Sequence, residues 1–159
     1  MVAEHTFHTG TVDLNYAEGE ASGPPIVLLH GGSLRWQSVM PLIPDLAARW
    51  HVYAPDLRGH GRSGRVPGRY RLQDYASDVA LFLEQVVTAP AILFGHSLGG
   101  HVAILVAALH PELVRAWSSV MLRSTAQGCA PPSCATARAC STGGIWRVRC
   151  TRWTRSAKA

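Results

Sequence analysis

The chain has 159 residues, 47% of them hydrophobic and 16% charged, and carries a formal net charge of +5. That length and apolar content fit one domain with its own core and exclude a disordered chain of low hydrophobicity. No apolar run comes near the ~20 residues needed to span a bilayer. The N-terminus, Met1-Val2-Ala3-Glu4-His5, lacks the basic and apolar regions of a secretory signal, so cytoplasmic residence is the expectation.

The charge is divided along the chain. Through Glu112 there are ten acids and seven arginines, net −3; from Leu113 onward there are eight basic residues and no acid, net +8, and the two sum to +5. The positive balance therefore describes one end of the chain, and a nucleic-acid partner is not expected from it.

In chain order, residues 11–17 alternate weakly and predict an early strand, with a turn over 19–25. Residues 26–29 form a continuous apolar run, the pattern of a central parallel strand. Over 36–50, Trp36, Met40, Ile43, Ala47 and Trp50 recur near helical spacing, although Pro41 and Pro44 confine the regular helix to the later part. Residues 51–54 predict a short strand and 59–68 a basic, glycine-rich loop. Over 72–87, Tyr75, Val79, Phe82, Leu83 and Val86 share one helical face, and Asp74 and Asp78 stand early, where the helix dipole favours carboxylates. Residues 91–94 predict a strand, and 98–110 a helix apolar nearly all round, hence buried, ended by Pro111. A further strand begins at Leu113-Val114-Arg115-Ala116, and Trp117-Ser118-Ser119 is expected to break it. Strands alternating with helices predict a mostly parallel sheet of about five strands, covered on both faces.

The chemistry concentrates at Gly95-His96-Ser97-Leu98-Gly99, between the apolar run Ala91-Ile92-Leu93-Phe94 and an apolar stretch from His101 to Leu109. This is a strand, a sharp turn and a helix with a serine at the apex. Small residues two before and two after the serine let the backbone fold tightly enough to thrust the hydroxyl into a cleft. Such a nucleophile elbow points to acyl transfer. Earlier, Ile26-Val27-Leu28-Leu29 runs into His30-Gly31-Gly32, a loop whose N–H groups suit an oxyanion hole. Between them, Val52-Tyr53-Ala54-Pro55-Asp56 leads into the glycine-punctuated turn from Leu57 to Ser63.

These three segments, in this order, resemble the α/β-hydrolase family from about residue 11 to residue 114. The resemblance implies an α/β fold: a partial α/β-hydrolase sheet, mostly parallel with helices on both faces, its C-terminal strands and lid missing. It implies that Ser97 attacks an acyl carbon of a small-molecule substrate while the N–H groups of Leu98 and Gly32 hold the oxyanion, Ser33 being a less favoured substitute for Gly32. Gly95, Gly99, His30, Gly31 and Asp56 would support the elbow and its loops, and His60 would shape the floor of the site. No metal, cofactor or membrane partner is implied, and the oligomeric state is left open. Dehalogenases and epoxide hydrolases of this fold attack with Asp at the elbow, so Ser97 favours the serine branch: esterases, lactonases, carbon–carbon hydrolases and cofactor-free haloperoxidases.

In that branch an Asp or Glu and then a His follow the serine on later loops. Here the last acid is Glu112 and the last histidine His110, so impaired catalysis is expected. His96 adjoins the nucleophile but points elsewhere in a tight turn, and His101, one helical turn on, is expected to be buried against the sheet. Asp56 reads as a loop organiser rather than the acid of a triad.

The chain thus divides into a core over 1–114 and a basic, cysteine-containing tail over 115–159. Residues 116–159 include no Asp, Glu, His, Phe, Tyr or Asn, and hold all four cysteines, Cys129, Cys134, Cys140 and Cys150. Three readings of the tail stand: out-of-frame translation of a GC-rich gene, a disordered basic arm, or a metal or disulfide module, the last disfavoured by spacings without a C-x2-C pair. The function accordingly reads as a serine hydrolase acting on an ester or related acyl bond, impaired here, with a non-catalytic truncated remnant or a basic-tailed binding protein as the alternative.

Overall fold

The computed structural model describes residues 2–120. Six strands form one sheet: β1 (Ala3–His8), β2 (Asp13–Glu18), β3 (Pro25–Leu29), β4 (His51–Pro55), β5 (Ala91–His96) and β6 (Val114–Val120). Their spatial order is β1-β2-β4-β3-β5-β6. The β1–β2 and β2–β4 pairs are antiparallel, whereas β4, β3, β5 and β6 run parallel. Crossovers carry α1 (Ile43–Ala47), α2 (Leu72–Phe82) and α3 (Leu98–Leu109).

Alternation along each strand sends side chains to two cores. Val27, Leu29, Tyr53 and Leu93 face α2 and α3, meeting Tyr75, Val79, Phe82, Val102 and Val106. Ile26, Leu28, Val52 and Ala54 face the other way, onto Trp36, Val39 and Ile43. Burial on both faces is why β3 reads as an unbroken apolar run.

Four details refine or depart from the reading of the sequence, the first bearing out the confinement of the helix to the later part of 36–50. The segment over 36–50 yields two 3-10 turns, Trp36–Ser38 and Met40–Leu42, and only five α-helical residues, Ile43–Ala47. Pro41 and Pro44 lack the N–H that a longer helix would need. β1 was not anticipated because His5, Thr6 and His8 hide its alternation; Phe7 anchors it, its ring 6.0 Å from that of Phe82. Phe82 is fully buried and also meets Tyr16 edge-on at 5.0 Å and Tyr53 at 6.0 Å, so one aromatic cluster fastens the β1–β2 hairpin to α2.

The third departure is β6, which passes straight through Trp117-Ser118-Ser119 to Val120, pairing Leu93 with Trp117, Phe94 with Ser118 and Gly95 with Ser119. A small residue is required there: a Cβ on Gly100 of α3 would run into the Ser119 hydroxyl, so a larger side chain at 119 would push the helix away. The fourth is α3, which is buried on one side only. Val102, Ala103 and Val106 are fully covered, while Ile104 is 38% and Leu109 58% exposed. The cysteines and the tail readings beyond Val120 lie outside the described residues.

The loop after β4 is fastened to α2 by a buried ion pair. Arg58 Nε and Nη2 donate to the two Asp78 carboxylate oxygens at 2.5 and 2.6 Å, and Nη1 donates to the Arg69 carbonyl at 3.1 Å. Both side chains are at most 5% exposed. The hydrogen bonds to Asp78 raise the Arg58 pKa against the opposing effect of burial. Replacing Arg58 alone strands a buried carboxylate, which typically costs about 3–5 kcal/mol. Urea unfolding of Arg58→Ala should show a loss of that order, and the double variant Arg58→Met with Asp78→Leu a smaller one. Equal losses in the two would show that the stranded charge is not the cause.

Candidate active site

Three loops meet at the C-terminal ends of parallel strands β3, β4 and β5, the edge where open α/β sheets place their sites. The elbow after β5 is built by close backbone approach. A Cβ on Gly95 would strike the Gly99 carbonyl, and one on Gly99 would strike the carbonyls of Leu29 and His30. These two glycines bring the start of α3 against the end of β3, and the Gly99 N–H donates to the His30 carbonyl at 3.1 Å. Ser97, at the apex, takes φ 48° and ψ −110°, a conformation that costs a non-glycine residue about 1–3 kcal/mol.

The backbone of Ser97 is held at both ends. Its N–H donates to the Val120 carbonyl at 2.9 Å, and its carbonyl accepts the His101 N–H at 3.1 Å and the His101 Nδ1–H at 3.0 Å. Its side chain is exposed. Leu98 opens α3, so its N–H is one of the first four that have no partner inside a helix. His101 is exposed rather than packed against the sheet. His96 is half-buried beside the β3 loop, and a Cβ on Gly31 would lie 2.6 Å from its Nδ1.

The loop after β3 runs through buried His30 and Gly31 to exposed Gly32 and Ser33. Ser33 has φ 61°, and the Leu34 N–H closes the turn onto the Gly31 carbonyl at 3.2 Å. His30 is completely buried. Its Nε2 lies 3.0 Å from the Leu57 N–H, and its Nδ1 lies 2.7 Å from the Gly31 carbonyl. Since Leu57 N–H can only donate and the carbonyl can only accept, the imidazole is neutral with its proton on Nδ1. Burial lowers its pKa, helped by His60 and opposed by the Gly31 hydrogen bond and Asp56.

Asp56, 1% exposed, ties the loops together. One oxygen accepts the Trp36 N–H at 2.7 Å; the other accepts the Arg62 N–H at 2.9 Å and Asn15 Nδ2 at 3.1 Å. Gly61 passes so close that a Cβ there would overlap the carboxylate. His60 Nδ1 donates to the Arg58 carbonyl at 2.9 Å, its ring 5.2 Å from that of His30.

The structure thus gathers Ser97, Leu98, Gly95, Gly99, His30, Gly31, Gly32 and Asp56 around one end of the sheet. Four contributors escaped the reading of the sequence. Val120 holds the Ser97 N–H, and Ser119 lies under Gly100, both in a segment read as tail. Asn15 and Trp36 reach Asp56 from separate elements and carry no motif that would have marked them.

Two predictions follow from these packing and titration facts. Gly99→Ala forces the helix off the β3 carbonyls and should cost about 1–3 kcal/mol, read as a lowered thermal midpoint; an unchanged midpoint would contradict the close approach. His30 has a folded pKa below its ordinary 6.5, so the folded state binds fewer protons than the unfolded one. Its contribution is complete above that ordinary value and is lost as pH falls toward the folded pKa. Denaturant titrations between pH 7.5 and 5 should show stability falling in the parent with a shallower fall in His30→Asn; parallel curves would remove His30 as the source.

Comparison with known proteins agrees with this architecture. The family described as alpha/beta hydrolase fold matches residues 24–133. The chain is 38% identical over 106 residues to a 2-(acetamidomethylene)succinate hydrolase of Mesorhizobium japonicum, covering 67% of this chain and 38% of that protein. It is 41% identical over 96 residues to epoxide hydrolase B of Mycobacterium tuberculosis, covering 58% of this chain and 27% of that protein. Among solved structures, an E-2-(acetamidomethylene)succinate hydrolase superposes with a TM-score of 0.70 at 34% identity, over 74% of this chain and 43% of the other. An N-acyl homoserine lactonase, solved with N-hexanoyl homoserine, gives 0.70 at 30% identity over 75% and 44%. The chain spans less than half the length of each of these relatives. With the family model matching residues 24–133, the chain belongs to the alpha/beta hydrolase fold family.

Proposed function

We propose that Ser97 is the nucleophile of a serine hydrolase that cleaves an ester or related acyl bond in a small molecule. The observation that carries this is the exposed serine held at φ 48° at the apex of a strand-to-helix turn, on a backbone bonded at both ends. In this reading the Ser97 hydroxyl adds to the acyl carbon and its proton passes to a base. The N–H groups of Leu98 and Gly32 take the developing oxyanion, the alcohol leaves, and water then hydrolyses the acyl-serine. A hydroxyl nucleophile favours acyl chemistry over the epoxide opening named for one relative. The names of other relatives, a succinate hydrolase and a lactonase, are compatible with that class.

The same reading proposes that the 159-residue chain is impaired. Its last histidine, His110, ends the helix that Ser97 begins, and twelve helical residues span roughly 18 Å. His30 has both ring nitrogens committed, and His101 spends Nδ1 on the Ser97 carbonyl. A serine without its base and acid keeps only what the oxyanion hole and binding supply, a loss on the order of a thousandfold or more. A non-catalytic chain carrying the same elbow is the second reading, favoured by that missing base.

The test is hydrolysis of a small activated ester by the parent and by Ser97→Ala, with and without added imidazole as an external base. The parent should match Ser97→Ala in buffer and exceed it when imidazole is present, with the acyl group found on Ser97. A clear excess in buffer alone would overturn the impairment. Absence of acylation under both conditions would overturn the nucleophile.

A further inference from the structure

We infer that His101 is a positioning residue that aims the Leu98 N–H at the oxyanion, an inference that rests on the role proposed for Ser97 and Leu98. The argument begins with the peptide unit joining those two residues. That unit is planar and trans, so its carbonyl, which belongs to Ser97, and its N–H, which belongs to Leu98, point in opposite directions and turn together. Whatever grips the carbonyl fixes the donor.

Two donors grip it. The His101 N–H makes the ordinary first helical bond at 3.1 Å, and the His101 imidazole adds Nδ1 at 3.0 Å. A carbonyl oxygen only accepts, so the imidazole must carry its proton on Nδ1. The Ser97 N–H is tied separately to Val120 at 2.9 Å, which leaves the peptide on the C-terminal side of the strained residue dependent on this double grip. Hydrogen bonds to a carbonyl also polarise the N–H of the same peptide and strengthen it as a donor. Aim and donor strength therefore change together when the imidazole is removed.

His101 is exposed and alanine suits the helix it occupies, so the fold survives its removal. The rescue variant is His101→Thr, because a threonine hydroxyl in a helix can donate to the carbonyl four residues back, which here is Ser97; His101→Val has the same shape without the donor. NMR of the labelled full chain reads the result. The parent should show a His101 proton on Nδ1, and a Leu98 amide proton shifted downfield. In His101→Ala and His101→Val that amide should move upfield, and in His101→Thr return toward the parent. Finding the His101 proton on Nε2, or a Leu98 amide indifferent to all three substitutions, would overturn the inference. Neither signal depends on turnover, so failure of the Ser97 reading in the imidazole experiment is seen separately.

Discussion

The rest of the site depends on how closely three pieces of backbone approach one another at the end of the sheet. The start of α3 lies against the carbonyls that finish β3, and only glycine at positions 95 and 99 leaves room for it. That approach sets the register between helix and strand and forces the chain to reverse within a few residues. Ser97 absorbs the reversal in its own φ and ψ. Strain of this kind persists only where its surroundings over-determine it, and here the surroundings are two adjacent strands, one glycine-walled gap and a doubly bonded carbonyl.

A second constraint keeps the loops from relaxing away from that edge. Asp56 and His30 are buried polar groups, and burying them is tolerable only because each polar atom finds a partner. Their partners are backbone N–H and carbonyl groups of neighbouring segments and, for Asp56, the Asn15 side-chain amide. Satisfying the buried side chains and fixing the loops are thus one requirement. The neutral tautomer of His30 follows from it: the Leu57 N–H demands an acceptor and the Gly31 carbonyl a donor, which only the uncharged ring provides. The Arg58–Asp78 pair extends the same logic outward, holding the glycine-rich segment after β4 against α2 with its charges paired to each other.

Sequence made the site more legible than its supports. The motif residues from Gly95 to Gly99 and from His30 to Gly32 are contiguous, and their chemistry is local: a tight turn needs glycine, and a loop of small residues exposes N–H groups. The core strands were legible because two-sided burial demands unbroken apolar runs. β1 was not, since one phenylalanine against Phe82 suffices to hold an edge strand whose other residues are polar. β6 was misread for a related reason. At a strand packed under a helix start, the space beside Gly100 admits only a small side chain, so serine there is a packing choice rather than a break. Asn15 and Trp36 act through single contacts across long sequence separations, and no local pattern encodes such contacts.

His101 shows how far the burial of a histidine misleads as a guide to its use. His30 is the buried one, and burial commits both its nitrogens to backbone, leaving nothing to accept a proton from a substrate or a serine. His101 is exposed and yet bonded to the carbonyl of the one residue whose geometry matters most. The two histidines divide a single task between them: His30 fixes the loop that bears Gly32, and His101 grips the peptide that bears Leu98. An oxyanion site made of two N–H groups from different loops works only if both are aimed before charge develops, since reorientation during reaction would consume the stabilisation. In the reading proposed for Ser97, that aiming is done from outside the site, by two imidazoles bonded to backbone.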